Sequence, residues 1–218
     1  MPNTAPSLLL GTNKLPSFLG TLGATASYLR KVKPDFKLAF IMAIPAFIGS
    51  GFGANIATKI PKDAFKPIIL FLLICVALYT WRKKELGLVE NFRFARRHQV
   101  GMGAIAGLVI GFYDGLIGPG TGTMLMIFLV AVMGFAFVGA SAIAKVVNAM
   151  TNLASIIVVG LRVGILWKIG LFLAIANLAG GYVGSHIAIK KGSGFVRIFY
   201  LIVTGLLIMR LGYSLYIE

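Results

Sequence analysis

The feature that most narrows what this chain can become is a series of long, nearly uncharged runs. Phe36–Thr58, Phe65–Trp81, Val100–Ile117, Met124–Phe137, Gly139–Gly160, Trp167–Ile189 and Phe195–Tyr213 hold few ionisable residues. An α-helix needs about 20 mainly apolar residues to cross a hydrocarbon layer about 30 Å thick. In that layer every backbone N–H and C=O must find its partner within the protein, so only helices and closed barrels can span it. Alternating ten-residue strands are absent, which excludes an outer-membrane barrel. Leu15–Leu29 is shorter and richer in Gly and Thr, and becomes a span only through the internal repeat described next. The expectation is an all-α integral membrane protein, a polytopic helical bundle of about seven transmembrane segments. Spans are expected near 14–30, 36–58, 64–82, 139–160, 166–189 and 194–215, with a broken segment over 100–137 that either crosses once or turns back, and the orientation of the chain hangs on which.

Set against itself at an offset of 131 residues, the chain repeats. Gly11–Trp81 aligns without a gap on Ala142–Gly212, placing Lys14 on Lys145, Gly49 and Gly53 on Gly180 and Gly184, and Lys59 on Lys190. This predicts two sequence-related units, residues 1–82 and 100–218, joined by a basic linker at 83–99. Duplicated bundles are a common build for secondary transporters, with the substrate path between the repeats. Residues 98–131 have no partner at this offset, so unit one is expected to start late relative to unit two.

The net charge of +15, from 21 Lys+Arg against 6 Asp+Glu, comes from residues between the spans. Cytoplasmic loops of membrane proteins collect such cations. Nucleic acid is not expected as a partner, because no soluble domain presents the basic runs. The sole cysteine, Cys75, lies in mid-span, so neither a disulfide framework nor a thiolate metal site follows. His98 and His186 have no carboxylate or cysteine near them in sequence and read as loop or helix-end residues. No metal, cofactor or catalytic constellation is expected. Met1–Asn13, with Pro2 and Pro6 and no basic start, does not resemble a signal peptide.

Chemistry concentrates at two places. From Gly111 to Thr123, five glycines interleave with Asp114, Pro119 and Thr121. Proline lacks an N–H and glycine weakens a helix by about 1 kcal/mol relative to alanine, so a break is predicted around 115–122. Broken backbone at membrane depth survives only against protein or a water-filled cavity. It can expose a half-helix N-terminus that attracts anions, or merely let helices pack closely through small residues. Gly118, Pro119, Gly120, Thr121 and Gly122 are therefore candidates for a substrate pathway. Asp114, the one acidic residue inside an apparent span, is either a proton-linked switch or a structural carboxylate that caps the next helix or pairs with a buried lysine.

The second place is a pair of polar stripes. Lys145, Asn148 and Asn152 share one helical face, and Lys14, Ser17 and Thr21 form the related face in unit one with Asn13 adjacent. They either line a pathway or form interhelical hydrogen bonds beside lysines that snorkel.

At these residues the chain resembles the TauE/SafE family, the sulfite exporter or toluene sulfonate uptake permeases, and looks nearest its YfcA-like branch. The likeness rests on Gly11-Thr12-Asn13-Lys14-Leu15, on Gly111-Phe112-Tyr113-Asp114-Gly115 with Gly118-Pro119-Gly120-Thr121-Gly122, and on Ala144-Lys145-Val146-Val147-Asn148 with Thr151-Asn152. The resemblance implies a multi-pass protein of the bacterial inner membrane that moves sulfite, sulfonates or other small anions and is not an enzyme. It also implies an additional glycine-rich broken segment ahead of Asn13-Lys14, and so a bundle of eight segments. The functional expectation is a secondary transporter or permease for small anions, within a lipid bilayer. Protons are a candidate coupling ion and a homo-oligomer is compatible with it. The alternatives are a passive anion channel or a truncated, non-transporting membrane protein.

Overall fold

The computed structural model describes residues 6–59, 74, 78 and 87–216; the span expected at 64–82 lies almost wholly outside them. The described elements are helices: α1 (Pro6–Lys31), α2 (Phe36–Ala57), α3 (Arg96–Leu116), α4 (Thr121–Ile127), α5 (Phe137–Arg162) and α6 (Trp167–Tyr216). A π-helical turn, Phe128–Met133, continues α4. Within α6 the backbone of Gly192 leaves helical geometry at φ 77°, dividing it into two limbs that match the expected spans near 166–189 and 194–215. Phe36–Ala57, Arg96–Leu116, Phe137–Arg162 and Trp167–Arg210 are long and apolar enough to cross a membrane. Along α2, Phe40, Ile44, Ile48 and Phe52 recur every fourth residue and all face outward, as a lipid-facing stripe requires.

Helix direction follows from contacts at the ends. Asp35 caps α2, accepting from the Leu38 N–H at 3.0 Å, and takes a two-pronged hydrogen bond from the Arg96 guanidinium at the start of α3. The N-termini of α2 and α3 therefore lie together and the two helices run parallel. Their separation is set by glycine. Added β-carbons at Gly49 and Gly53 of α2 would lie 2.3 and 2.1 Å from the carbonyl oxygens of Leu108 and Phe112. Those at Gly107, Gly111 and Gly115 of α3 would lie 2.3, 2.3 and 2.0 Å from the carbonyls of Met42, Ala46 and Ser50. Backbone meets backbone along the whole length, in the small-xxx-small manner of membrane helices. Gly111 and Gly115 thus serve packing, and the break is narrower than 115–122: α3 continues to Leu116 and helix resumes at Thr121.

The segment 100–137, which the sequence left open between one crossing and a turn back, turns back. After the break, α4 and the π turn return to the face where α3 began. There the N–H groups of Asn91 and Phe137 donate to the carbonyls of Gly134 and Gly87, each at 2.7 Å, and Phe92 meets Phe135 edge-on at 4.9 Å. The deciding contacts come from the linker, whose backbone groups need partners wherever they are buried. α5 then leaves from that face, the opposite sense to α1, whose C-terminal Lys31 lies 3.4 Å from His186 at the far end of the first limb of α6. Helices matched by the 131-residue offset consequently cross in opposite directions.

This sorting also resolves the charge pattern. Arg30, Lys31, Lys33, Lys37, Arg93, Arg96, Arg97, Lys190, Lys191 and Arg197 gather at one end of the bundle, against Lys59, Arg162, Lys168 and Arg210 toward the other among the described residues. The positive-inside tendency places the richer end on the cytoplasmic side as an expectation. The core between α2, the π turn and α5 is filled by Leu38, Met42, Leu129, Met133, Phe137, Ile143 and Val147. α1 fits against the first limb of α6 through Gly20, Gly23 and Gly181, where a β-carbon on Gly181 would lie 2.1 Å from the Gly20 carbonyl.

Candidate functional site

α1, the break after α3, the middle of α5 and α6 enclose a cavity of about 1290 Å³. Every residue singled out from sequence lines it: Asn13 and Lys14 from α1, Asp114 from α3, Gly118, Pro119, Gly120, Thr121 and Gly122 from the break and the start of α4, and Lys145, Asn148 and Asn152 from α5. Residues separated by up to 139 positions in the chain therefore share one space.

The break has a defined geometry. Gly118 and Gly120 sit at φ +89° and +87°, backbone conformations that side chains resist. Between them the Pro119 carbonyl accepts a 2.5 Å hydrogen bond from the Tyr113 hydroxyl. A β-carbon on Gly118 would approach the Lys14 ammonium to 3.2 Å, and one on Gly122 the Asn148 amide nitrogen to 3.8 Å. Gly118 is what lets the loop close on Lys14, whereas the approach of Gly122 to Asn148 is ordinary van der Waals contact.

Asp114 is tied down on both oxygens. Lys14 Nζ lies 3.1 Å from Oδ2 and donates to the Asp114 carbonyl at 2.8 Å. The Thr121 hydroxyl, at the first residue of α4, lies 2.7 Å from Oδ1 and 2.8 Å from the Gly118 carbonyl, with one proton to share between them. Only 8% and 3% of the Lys14 and Asp114 side chains remain exposed, so each charge depends on the other. Of the two structural roles left open from sequence, the structure shows the pairing of Asp114 with an intramembrane lysine. Its carboxylate clasps α1 to both sides of the break.

Lys145 differs from its repeat partner. It is half-buried, faces the same cavity, and has no ion-pair or hydrogen-bond partner among the described residues. One turn on, Asn152 Nδ2 donates to the Asn148 side-chain oxygen at 2.6 Å and to the Asn148 carbonyl at 2.8 Å, fixing the amide pair on the same face. Beneath it the Ser50 hydroxyl of α2 donates to the Thr151 carbonyl at 2.7 Å and meets Ser155 Oγ at 3.0 Å.

Three further polar residues of the lining, Tyr28, Asn177 and Ser185, are not part of the sequence-derived set. Asn177 aligns with Ala46 in the repeat, so the offset is blind to it. The available signal was the spacing Asn177, Gly181, Ser185, one polar or small residue per turn in an apolar helix. Outside the membrane the Arg96 guanidinium beside Asp35 holds that carboxyl below the usual carboxylate range.

The family model for the sulfite exporter TauE/SafE matches residues 2–211. This chain belongs to the TauE/SafE family. Relatives include a probable membrane transporter protein, ORF9, of Sinorhizobium, 35% identical over 94% of this chain and 78% of its own length. A probable membrane transporter protein of Haemophilus influenzae is 32% identical over 98% of this chain and 83% of the relative. The probable membrane transporter YfcA of Escherichia coli K12 is 29% identical over 96% and 77%. No solved structure matches the chain. TauE/SafE members are membrane transporter proteins rather than enzymes, and this one is a multi-pass protein of the bacterial inner membrane.

Proposed function

We propose that this TauE/SafE protein is a secondary transporter for small anions, sulfur-containing or organic, which bind in the cavity between α1, the break, α5 and α6. The observation that carries the reading is Lys145: an ammonium group facing a large cavity without a counter-ion among the described residues, beside the amides of Asn148 and Asn152. A charge in a membrane interior is costly unless compensated, so such a site favours an anion that completes it. Asn13 and Asn177 add neutral donors that orient an oxyanion without adding charge. The description of the family as sulfite exporters makes sulfite and sulfonates the first candidates. Protons are the coupling ion we propose, with Asp114 as the proton-linked group.

The test is uptake into proteoliposomes of sulfite, sulfonates, sulfate and carboxylates, with and without a proton gradient. Saturable flux of at least one anion is expected, together with its loss in Lys145→Ala protein that still inserts and folds. Normal flux through Lys145→Ala would sink the assignment, and flux that neither saturates nor responds to the gradient would make the protein a channel.

A further inference from the structure

Of the side chains bonded to the Asp114 carboxyl among the described residues, Thr121 is the one able both to donate and to accept. Its hydroxyl has one proton and two oxygens within reach, Asp114 Oδ1 at 2.7 Å and the Gly118 carbonyl at 2.8 Å. A carbonyl only accepts, and so does an ionised carboxylate, so the two compete for that proton. The other side of the carboxyl is fixed. Lys14 Nζ lies 3.1 Å from Oδ2, and an ammonium offers donors without an acceptor for a carboxylic O–H. A proton arriving at Asp114 is therefore directed to Oδ1, the oxygen beside Thr121.

The Thr121 contact can reverse. With Asp114 ionised, the hydroxyl donates to Oδ1. With Asp114 protonated, Oδ1 carries the new O–H and donates to Thr121 Oγ, and the hydroxyl turns its own proton to the Gly118 carbonyl. One O–H bond forms on the carboxyl and none breaks in the hydroxyl, so the incoming proton is the only atom gained. Both states stay hydrogen-bonded at a side chain that is only 3% exposed, where an unpaired polar group is costly. Lys14 also donates to the Asp114 backbone carbonyl at 2.8 Å, a bond that titration of the side chain leaves in place. We infer that Thr121 is the positioning residue of the proton-linked step: its hydroxyl reverses with the charge of Asp114 and passes that change to the Gly118 carbonyl in the break. This rests on Asp114 being the proton-linked group proposed above. The surroundings hold few other titratable groups. Tyr113, its neighbour on α3, turns its hydroxyl to Pro119, and Lys145 of α5 lines the same cavity. α2 meets this part of α3 through backbone and small residues, and neither α4 nor the cavity-lining part of α6 has an ionisable side chain among the described residues.

Methanesulfonate is a suitable probe, because its charge does not change with pH across the assay. Its initial uptake into proteoliposomes is followed from acid to alkaline pH in the parent, Thr121→Val and Thr121→Ser proteins. Valine keeps the shape of threonine without the hydroxyl, and serine keeps the hydroxyl without the methyl. A hydrogen bond to an ionised group is about twice as strong as one between neutral groups, so losing the hydroxyl costs the ionised carboxyl more than the protonated one. The midpoint of the pH profile should therefore move up by about one unit in Thr121→Val and stay in place in Thr121→Ser. His98 and His186 are common to all three proteins and cancel in the comparison. Where methanesulfonate is not carried, the same midpoint is read without substrate, from the infrared band of the protonated carboxyl. An unmoved midpoint in Thr121→Val, with uptake merely lower at every pH, makes Thr121 a local cap and overturns the inference while leaving proton coupling standing. A midpoint that moves in Thr121→Ser overturns it as well, and that variant decides the matter if the valine protein does not fold. A parent with neither pH-dependent uptake nor a titrating carboxyl band overturns the proton-linked reading of Asp114 and this inference together.

Discussion

Gly115 offers the sharpest test of how the bundle is held. In Gly115→Ala the new methyl would lie 2.0 Å from the Ser50 carbonyl oxygen and 2.7 Å from the Ala54 nitrogen. Even close Cα–H···O contacts between helices hold carbon and oxygen about 3.3 Å apart, so α2 and α3 must separate by about 1.3 Å there. Backbone, unlike a flexible side chain, cannot swing aside. The contacts of Gly111 with Ala46 and of Gly53 with Phe112 lie one turn away on the same seam and open with it. Overpacking of this kind costs about 1–3 kcal/mol. Gly101, in the same helix, has nothing within 4 Å of its would-be β-carbon, so Gly101→Ala keeps only the gain in helix propensity, up to about 1 kcal/mol. The two variants should therefore shift stability in opposite directions, read by circular dichroism during denaturation of the detergent-solubilised protein. Equal shifts, or a Gly115→Ala protein as stable as the parent, would refute a backbone-to-backbone seam.

Two further expectations follow from the site and its surroundings. Gly120→Leu places a branched side chain at φ +87°, a left-handed conformation costing about 1–2 kcal/mol, and projects it into the lining of the cavity; transport should fall much further than the yield of folded protein, measured by uptake against size-exclusion recovery. Asp35→Asn keeps the helix cap but loses the charge that Arg96 grips. Because the folded-state pKa of Asp35 is depressed, its contribution is present above the unfolded value of about 4 and disappears as pH falls through the folded value. The parent should exceed Asp35→Asn by about 0.5–1 kcal/mol near neutral pH, a partly solvated pair's worth, and the melting temperatures should converge in acid.

The spans and the polar stripes were legible in the sequence because both depend on local periodicity. Lys145, Asn148 and Asn152 recur at one helical turn within apolar surroundings, and no tertiary information is needed to see them share a face. The partnership of Lys14 with Asp114 is different. It joins residues 100 positions apart through the placement of a re-entrant turn, and the sequence offered a buried lysine only as one of several fates for that carboxylate. The glycines were harder still. Gly111, Gly115, Gly118 and Gly120 look alike in a string, yet the first two sit in helical backbone against α2 and the last two at positive φ in the break. Whether 100–137 crossed or returned depended on where Gly87 and Asn91 found hydrogen-bond partners, which no periodicity encodes. The π turn at Phe128–Met133 carries no sequence signal that we can identify.

The glycine seam and the serine contacts together divide the molecule mechanically. α3 is welded to α2 along backbone, and α2 is bolted to α5 through Ser50, Thr151 and Ser155. On the opposite side α1 rides on the first limb of α6 through Gly20, Gly23 and Gly181. A frame and a lever result, with the cavity between them; α1 touches the frame both at the Lys14–Asp114 latch and where Gly11 closes on Val159 of α5, with a would-be β-carbon 2.5 Å away. Any motion that swings the lever away from the frame must draw that latch and open that seam.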